Sequence, residues 1–256
     1  MKIDVLGCSG AEFPGHNPAG FLLDSKILFD AGSLTNVLDR KGQSKVKDIF
    51  ITHAHLDHIR GISFLADNII VEKRKQRVNI ISIPSVIKTI QKNLLNDSLW
   101  PDFTMIPDYE NAVLRYKALK EGKALNVNGY HITAYKVNHS VPAVGYFVEG
   151  RNKKRFFYTG DTGPTDATWK NLGDRKLDCL IIEVSFPNRM SEMAAITGHL
   201  TSRLLKEEIR KIKQMPDRIY ITHPKPQHLK VIKAELEKLN MKNLKLLKDG
   251  DVINIG

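Results

Sequence analysis

Between Ile51 and Gly61 the chain reads Ile51-Thr52-His53-Ala54-His55-Leu56-Asp57-His58-Ile59-Arg60-Gly61, with three imidazoles and a carboxylate inside six residues. Imidazole nitrogen and carboxylate oxygen are the donors that zinc and similar borderline divalent ions accept. In an extended turn His53 and His55 point to the same side and can grip one ion together. Asp57 and His58 lie past the bend and suit a second ion a few ångström away. One histidine alone would read as an imidazole titrating in solvent. Four donors at this spacing read as a metal centre.

The flanking residues say what positions them. Val46, Ile49, Phe50 and Ile51 form a buried strand, and Ile59, Ile62, Phe64 and Leu65 are spaced for a short amphipathic helix starting near Asp57. The donors therefore sit on a strand-to-helix turn at the strand's carboxyl end, where open α/β sheets place ligands. Two ions need more ligands, and three further strand ends offer them. His139 follows Tyr135 to Asn138, Asp161 follows Phe156 to Gly160, and His223 follows Ile219 to Thr222. Asp30 closes a hairpin formed by Phe21 to Leu23 and Ile27 to Phe29. It either orients a ligand imidazole or serves as a strand-end turn.

The remaining chain supplies a scaffold without repeats or linkers. Strands are expected at Lys2 to Leu6, Val78 to Ile83, Leu125 to Val127, Tyr130 to Val137, Gly145 to Val148, Arg155 to Tyr158, Leu177 to Val184 and Arg218 to Thr222. Helices are expected from Pro84 through Leu95, at 202–215 and at 227–239. The tail Leu244 to Ile255, broken by Asp249-Gly250, reads as a closing hairpin. Strand-rich halves that each end in helices imply two sheets sandwiched between helical layers. The basic run Glu72-Lys73-Arg74-Lys75-Gln76-Arg77 reads as a solvated loop. Leu99-Trp100-Pro101-Asp102-Phe103-Thr104-Met105-Ile106-Pro107 cannot be regular helix. It is a lid, a base-stacking wall or an ordinary packed loop.

Bulk properties narrow the partners. A single domain spanning residues 1–256 is expected, long enough to bury about three quarters of its unfolded surface. The chain is 42% hydrophobic and 26% charged, as ordinary soluble proteins are, but its net charge is +11. That excess favours anionic substrates, phosphates first among them. Cys8 and Cys179 each lie in an apolar run, so no disulfide framework is expected. The segment before Cys8 is too short, and too polar at Asp4, for a lipoprotein signal. No apolar run reaches transmembrane length, so no membrane association is expected and the expected compartment is the cytoplasm.

On these residues the chain resembles the metallo-β-lactamase superfamily, from Gly7 through His223. The resemblance implies an α/β fold, the four-layer αββα sandwich, and a two-metal hydrolase. Carried over by motif, His53, His55 and His139 would hold one ion, Asp57, His58 and His223 the other, and Asp161 would bridge them. Zinc is the first expectation for both ions, with manganese or iron as alternatives. A narrower resemblance, to the class II cyclic-nucleotide phosphodiesterases, rests on Asn93 to Phe103, on Ile182-Glu183-Val184-Ser185-Phe186-Pro187-Asn188 and on Gly198-His199-Leu200-Thr201. Ser63 interrupts an apolar triplet of that signature, and Ser202 stands where the class usually has proline. Ribonuclease Z is the nearest competitor. It shares the histidine at His199 and the Gly145-Tyr146 pair after His139, but commonly has serine at Ala143 and carries a glycine-rich arm for transfer RNA that this sequence lacks.

The resemblance implies hydrolysis of 3′,5′-cyclic nucleotides, cyclic AMP or cyclic GMP, to nucleoside 5′-monophosphates by a water shared between the ions. Asp57 and His199 are the expected catalytic residues, His199 as the acid that protonates the ribose 3′ oxygen. Thr201 or Ser202 is expected to cap the following helix. Two alternatives stand beside this reading. One is an RNA-end phosphodiesterase like ribonuclease Z, and the other is a non-catalytic metal- and RNA-binding module. A cyclic nucleotide is the expected small-molecule partner, nucleic acid the lesser one, and a homodimer the expected assembly.

Overall fold

The computed structural model describes residues 1–72 and 75–256. Lys73 and Arg74 of the basic run lie outside the described residues. The first half contributes β1 (Lys2–Gly7), β2 (Gly20–Leu23), β3 (Ile27–Phe29), α1 (Arg40–Lys45), β4 (Asp48–Phe50), α2 (Leu56–Val71), β5 (Val78–Ser82), α3 (Pro84–Asn93) and β6 (Leu114–Ala118). The second contributes β7 (Ala124–Val127), β8 (Tyr130–Lys136), β9 (Val144–Glu149), β10 (Arg155–Tyr158), α4 (Ala167–Leu172), β11 (Cys179–Glu183), α5 (Ser191–Thr197), α6 (Ser202–Arg210), β12 (Arg218–Thr222), α7 (Leu229–Glu237), β13 (Leu244–Leu246) and β14 (Val252–Asn254).

These strands form two seven-stranded sheets, ordered β14-β1-β2-β3-β4-β5-β6 and β13-β12-β11-β10-β9-β8-β7. Each sheet begins antiparallel and continues parallel: β3 to β6 in the first, β10 to β13 in the second. Period-two alternation makes the layers. In β11, Cys179 and Ile181 face the core between the sheets, whereas Leu180 and Ile182 face the helices. In β10, Phe156 and Tyr158 point inward and Phe157 outward to Trp169 of α4. The inter-sheet core is anchored by rings from both sheets, with Phe29 against Tyr146 at 5.7 Å and Phe21 against Tyr158 at 4.8 Å. Helix α2 covers the first sheet with Ile62, Leu65 and Ile69, and α6 and α7 cover the second with Leu205, Ile209, Ile232 and Leu236. This is the αββα sandwich.

The structure corrects two expectations and narrows a third. The tail is not a hairpin: β13 pairs in parallel with β12 in the second sheet, and β14 pairs antiparallel with β1 in the first. Asp249-Gly250 is the crossing between sheets, pinned because the Asp249 carboxylate accepts from the amides of Cys8 at 3.0 Å and Asn17 at 2.7 Å. Gln76, in the run expected to be solvated, is buried and donates to Gln43 O and Val46 O, while Lys75 and Arg77 are exposed. Of the readings open for the Leu99–Pro107 stretch, Phe103 and Trp100 favour the packed loop, while Leu99 and Met105 stay exposed. Phe103 is buried, and Trp100 sets its ring edge-on to Phe64 of α2 at 5.4 Å while packing against the hydrophobic core. Strand β6 and the short helices α1, α4 and α5 had no counterpart in the sequence reading. Their six- or seven-residue segments are too short to show a helical period, and the Leu-Arg-Tyr-Lys-Ala of an edge strand carries too little apolar alternation to declare itself.

Candidate metal centre

Parallel pairing brings the carboxyl ends of β3, β4, β10, β11 and β12 to one edge of the sandwich, and β8 runs the same way. All seven expected donors emerge at that edge. His53, His55, His139 and Asp161 offer ligand atoms within 4.8 Å of one another, and so do Asp57, His58 and His223. Asp161 is the link, its Oδ2 lying 3.7 Å from His53 Nε2, 3.4 Å from His58 Nε2 and 3.3 Å from His223 Nε2. Asp161, His199 and His223 make a third such group, so His199 reaches the same centre.

The local backbone is shaped for these side chains. His55 holds the N-cap position of α2, where serine or aspartate would normally satisfy an orphan amide, and it makes no capping bond. Its ring turns instead to His53 and His139, with Nδ1 3.1 Å and 3.3 Å from their Nε2 atoms. Asp57 sits in the first turn of the same helix, where the helix dipole favours a carboxylate. Gly160 has φ +60°, and a Cβ there would fall 2.7 Å from the Thr52 side chain, so glycine is needed for Asp161 to turn into the site.

Each imidazole is fixed from behind. Asp30 is fully buried, and its carboxylate accepts from His58 Nδ1 at 2.8 Å, Tyr158 OH at 2.7 Å and Thr52 N at 2.8 Å. Thr52 Oγ1 donates to Asp30 and so receives His53 Nδ1–H at 3.0 Å. His139 Nδ1 donates to Gly198 O at 2.9 Å. His223 Nδ1 meets Ser185 Oγ at 2.9 Å, and Ser185 Oγ donates to Glu183 at 2.7 Å. These partners place the protons on the far nitrogens of His53, His58, His139 and His223 and leave their Nε2 lone pairs facing the centre. Lone pairs that face one another at 3.1 to 3.4 Å repel unless a cation or proton lies between them. The donor set therefore fits divalent metal.

Electrostatics agree with a ligating state. Burial holds the imidazoles of His53, His55 and His139 below the usual range, so they stay neutral. Burial opposes ionisation of Asp161, but His223 and His58 outweigh it and hold that carboxyl well below its usual range. Asp57 is lowered in the same way, burial being overcome by His58 and His223. His58 is the exception: burial lowers it, yet Asp161, Asp30 and Asp57 together hold it well above.

Glu183 is not among the expected donors. It is fully buried at the end of β11, and its carboxylate accepts from His199 Nδ1 at 2.6 Å and from Thr162 N at 3.0 Å. Glu183 raises the His199 imidazole against the lowering effect of burial. His199 is buried and stacks on His223 with ring centroids 5.5 Å apart at 20°. The available signal was the one that found Asp161, a carboxylate ending an apolar strand. Thr201 caps α6 by accepting from Leu204 N at 3.3 Å.

Fold and donor set together are those of the metallo-hydrolases. The family model for a beta-lactamase superfamily domain matches residues 25–223, and the chain belongs to that family. It resembles the class II cyclic-nucleotide phosphodiesterases. It is 26% identical over 248 residues to a probable 3′,5′-cyclic-nucleotide phosphodiesterase of Yersinia pestis, covering 84% of this chain and 70% of that one. It is 24% identical over 267 residues to a ribonuclease Z of Archaeoglobus fulgidus, covering 82% of this chain and 83% of that one. Among solved structures, unliganded yeast PDE1 superimposes with TM-score 0.82 at 18% identity, covering 98% of each chain. Human tRNase Z, short form, gives 0.72 at 20% identity over 100% of each chain. At such identities these two structures speak for the fold alone. No helix among the described residues is long and apolar enough to cross a membrane.

Proposed function

We propose that this protein is a metal-dependent phosphodiesterase that opens 3′,5′-cyclic nucleotides. In this reading His53, His55 and His139 hold one divalent ion, and Asp57, His58 and His223 hold a second. Asp161 is shared between the two, and zinc is the ion its imidazole-rich donors suit best. Two such ions supply Lewis acidity toward a phosphoryl group and lower the pKa of bound water. The chain's own part is positioning and proton transfer. Asp30, Thr52, Gly198 and Ser185 hold the imidazoles in their ligating tautomers. His199, gripped by Glu183 at 2.6 Å, keeps its Nε2 available to protonate a departing ribose oxygen.

The observation that carries the reading is the placement of the Glu183–His199 pair against His223, beside a donor set centred on Asp161. A proton donor next to paired cation sites suits an ester whose leaving oxygen is strongly basic. The choice of a small cyclic diester draws on the Yersinia pestis relative and on the loop from 94 to 113, the longest connection among the described residues. That loop folds onto the core through Phe103 and Val113 instead of projecting as an arm for RNA. The ribonuclease Z relatives favour the second reading, an RNA-end phosphodiesterase at the same centre. Incubating purified, metal-analysed protein with 3′,5′-cyclic, 2′,3′-cyclic and RNA phosphodiesters tests both. Turnover of the 3′,5′-cyclic diester is expected, and processing of an RNA 3′ end with no cyclic-nucleotide turnover would transfer the assignment to the second reading.

A further inference from the structure

The far side of the second sheet carries a feature that the hydrolytic centre does not use. Charge is concentrated there: Lys230, Lys233, Lys242, Lys245 and Lys248 line one groove in which Glu237 is the acidic lining residue. Strand β13 is the edge of this sheet. The bonds Ile219 N–H to Asn243 O and Leu247 N–H to Ile221 O set the ladder's phase, so Lys245 turns its backbone polar groups toward β12. Leu246 then presents its N–H and C=O to the open side. The side chains of Leu244 and Leu246 fall on the α7 face, both half-exposed. Beside them runs a groove of about 800 Å³ between α7 and β13, floored by Leu229, Leu236 and Met241. Its rim is basic. Lys233 and Lys245 are paired with Glu237 and Asp251, whereas Lys230, Lys242 and Lys248 have no ion-pair partner among the described residues.

We propose that this edge and groove receive an extended acidic peptide from a partner protein, added beside β13 as a further strand. Each feature answers one part of such a ligand. The open backbone groups of Leu246 give main-chain pairing, the groove takes alternate apolar side chains, and the unpaired lysines meet the intervening carboxylates. A second copy of this chain is disfavoured, because two β13 edges would oppose their own lysines. The proposal does not depend on the substrate of the metal centre.

The test uses the whole metal-loaded chain, a short fluorescent peptide of alternating valine and glutamate, and a single-stranded RNA oligonucleotide of similar charge. The peptide is expected to bind, to weaken as salt rises, and to slow hydrogen exchange at the Leu246 amide. The double variant K242E/K248E, which alters two exposed side chains, should weaken it at least about tenfold with Tm unchanged. A peptide N-methylated at alternate residues should fail to bind, since it cannot complete the ladder. Absence of peptide binding, or binding indifferent to either N-methylation or the double substitution, would overturn the proposal. So would RNA binding lost in K242E/K248E with no peptide binding, because the lysines would then serve phosphates.

Discussion

The Asp30 carboxylate lies 2.8 Å from His58 Nδ1 and takes its other hydrogen bonds from Tyr158 OH and from the amide and hydroxyl of Thr52. One carboxylate therefore ties β3, the turn after β4, the start of α2 and the end of β10 together behind the candidate ligands. Its φ of +58° is a left-handed conformation that aspartate tolerates better than most residues. Asp30 therefore does both things the sequence allowed, turning the strand end and orienting an imidazole.

Replacing Asp30 by Asn should separate those two roles. The amide keeps the shape and the turn but sets an NH2 against groups that themselves donate, and it no longer strengthens the basicity of His58. Metal affinity should fall about 10- to 100-fold, as losing such a partner usually costs. A chelator-competition titration reads this directly. Unchanged affinity in a folded Asp30→Asn protein would reduce Asp30 to a turn residue.

Asp161 should behave differently, because it faces both donor groups rather than standing behind one. Asp161→Ala is expected to lower bound metal and turnover together, and Asp161→Asn nearly as much, since a neutral amide bridges two cations poorly. Metal analysis alongside rate measurement checks this. Two ions bound per chain with full activity in Asp161→Ala would remove it from the bridge.

Trp100 marks where aromatic chemistry alone misleads. Its ring is spent on Phe64 and the core, so Trp100→Ala should destabilise the fold by about 3 kcal/mol, the lower end of aromatic truncations. KM for a cyclic nucleotide should not move. Urea unfolding and steady-state kinetics on the same preparation decide between packing and stacking. A raised KM at undiminished stability would return Trp100 to the substrate.

How much could be read in advance follows the range of the interactions. His53, His55, Asp57 and His58 fall within six residues, so their spacing alone predicts that the donors gather. His139, Asp161 and His223 were legible because each ends an apolar strand, and parallel sheets gather such ends. Glu183 obeys the same rule but has a commonplace alternative as a solvated strand cap. Only its complete burial against His199 and Ser185 distinguishes the two. The tail failed for a related reason. Nothing local in Leu244 to Ile255 tells which sheet a three-residue strand joins, and hydrogen bonds to β12 and β1, far away in sequence, decide it.

His199 offers the sharpest test of mechanism, because the structure gives it two possible occupations. It belongs to a group with Asp161 and His223 that could bind metal, and it is held by Glu183 as a proton donor would be. An acid matters in proportion to the basicity of the oxygen that leaves. A ribose 3′ oxygen departs as a strong base, whereas p-nitrophenolate is stable near neutral pH. His199→Ala should therefore slow cyclic-nucleotide hydrolysis by about a hundredfold or more, while a p-nitrophenyl phosphodiester loses much less. Metal content separates the alternatives, since loss of an ion in the variant would make His199 a ligand. Equal losses on both esters at unchanged metal content would mean that His199 stabilises the phosphoryl group and protonates nothing.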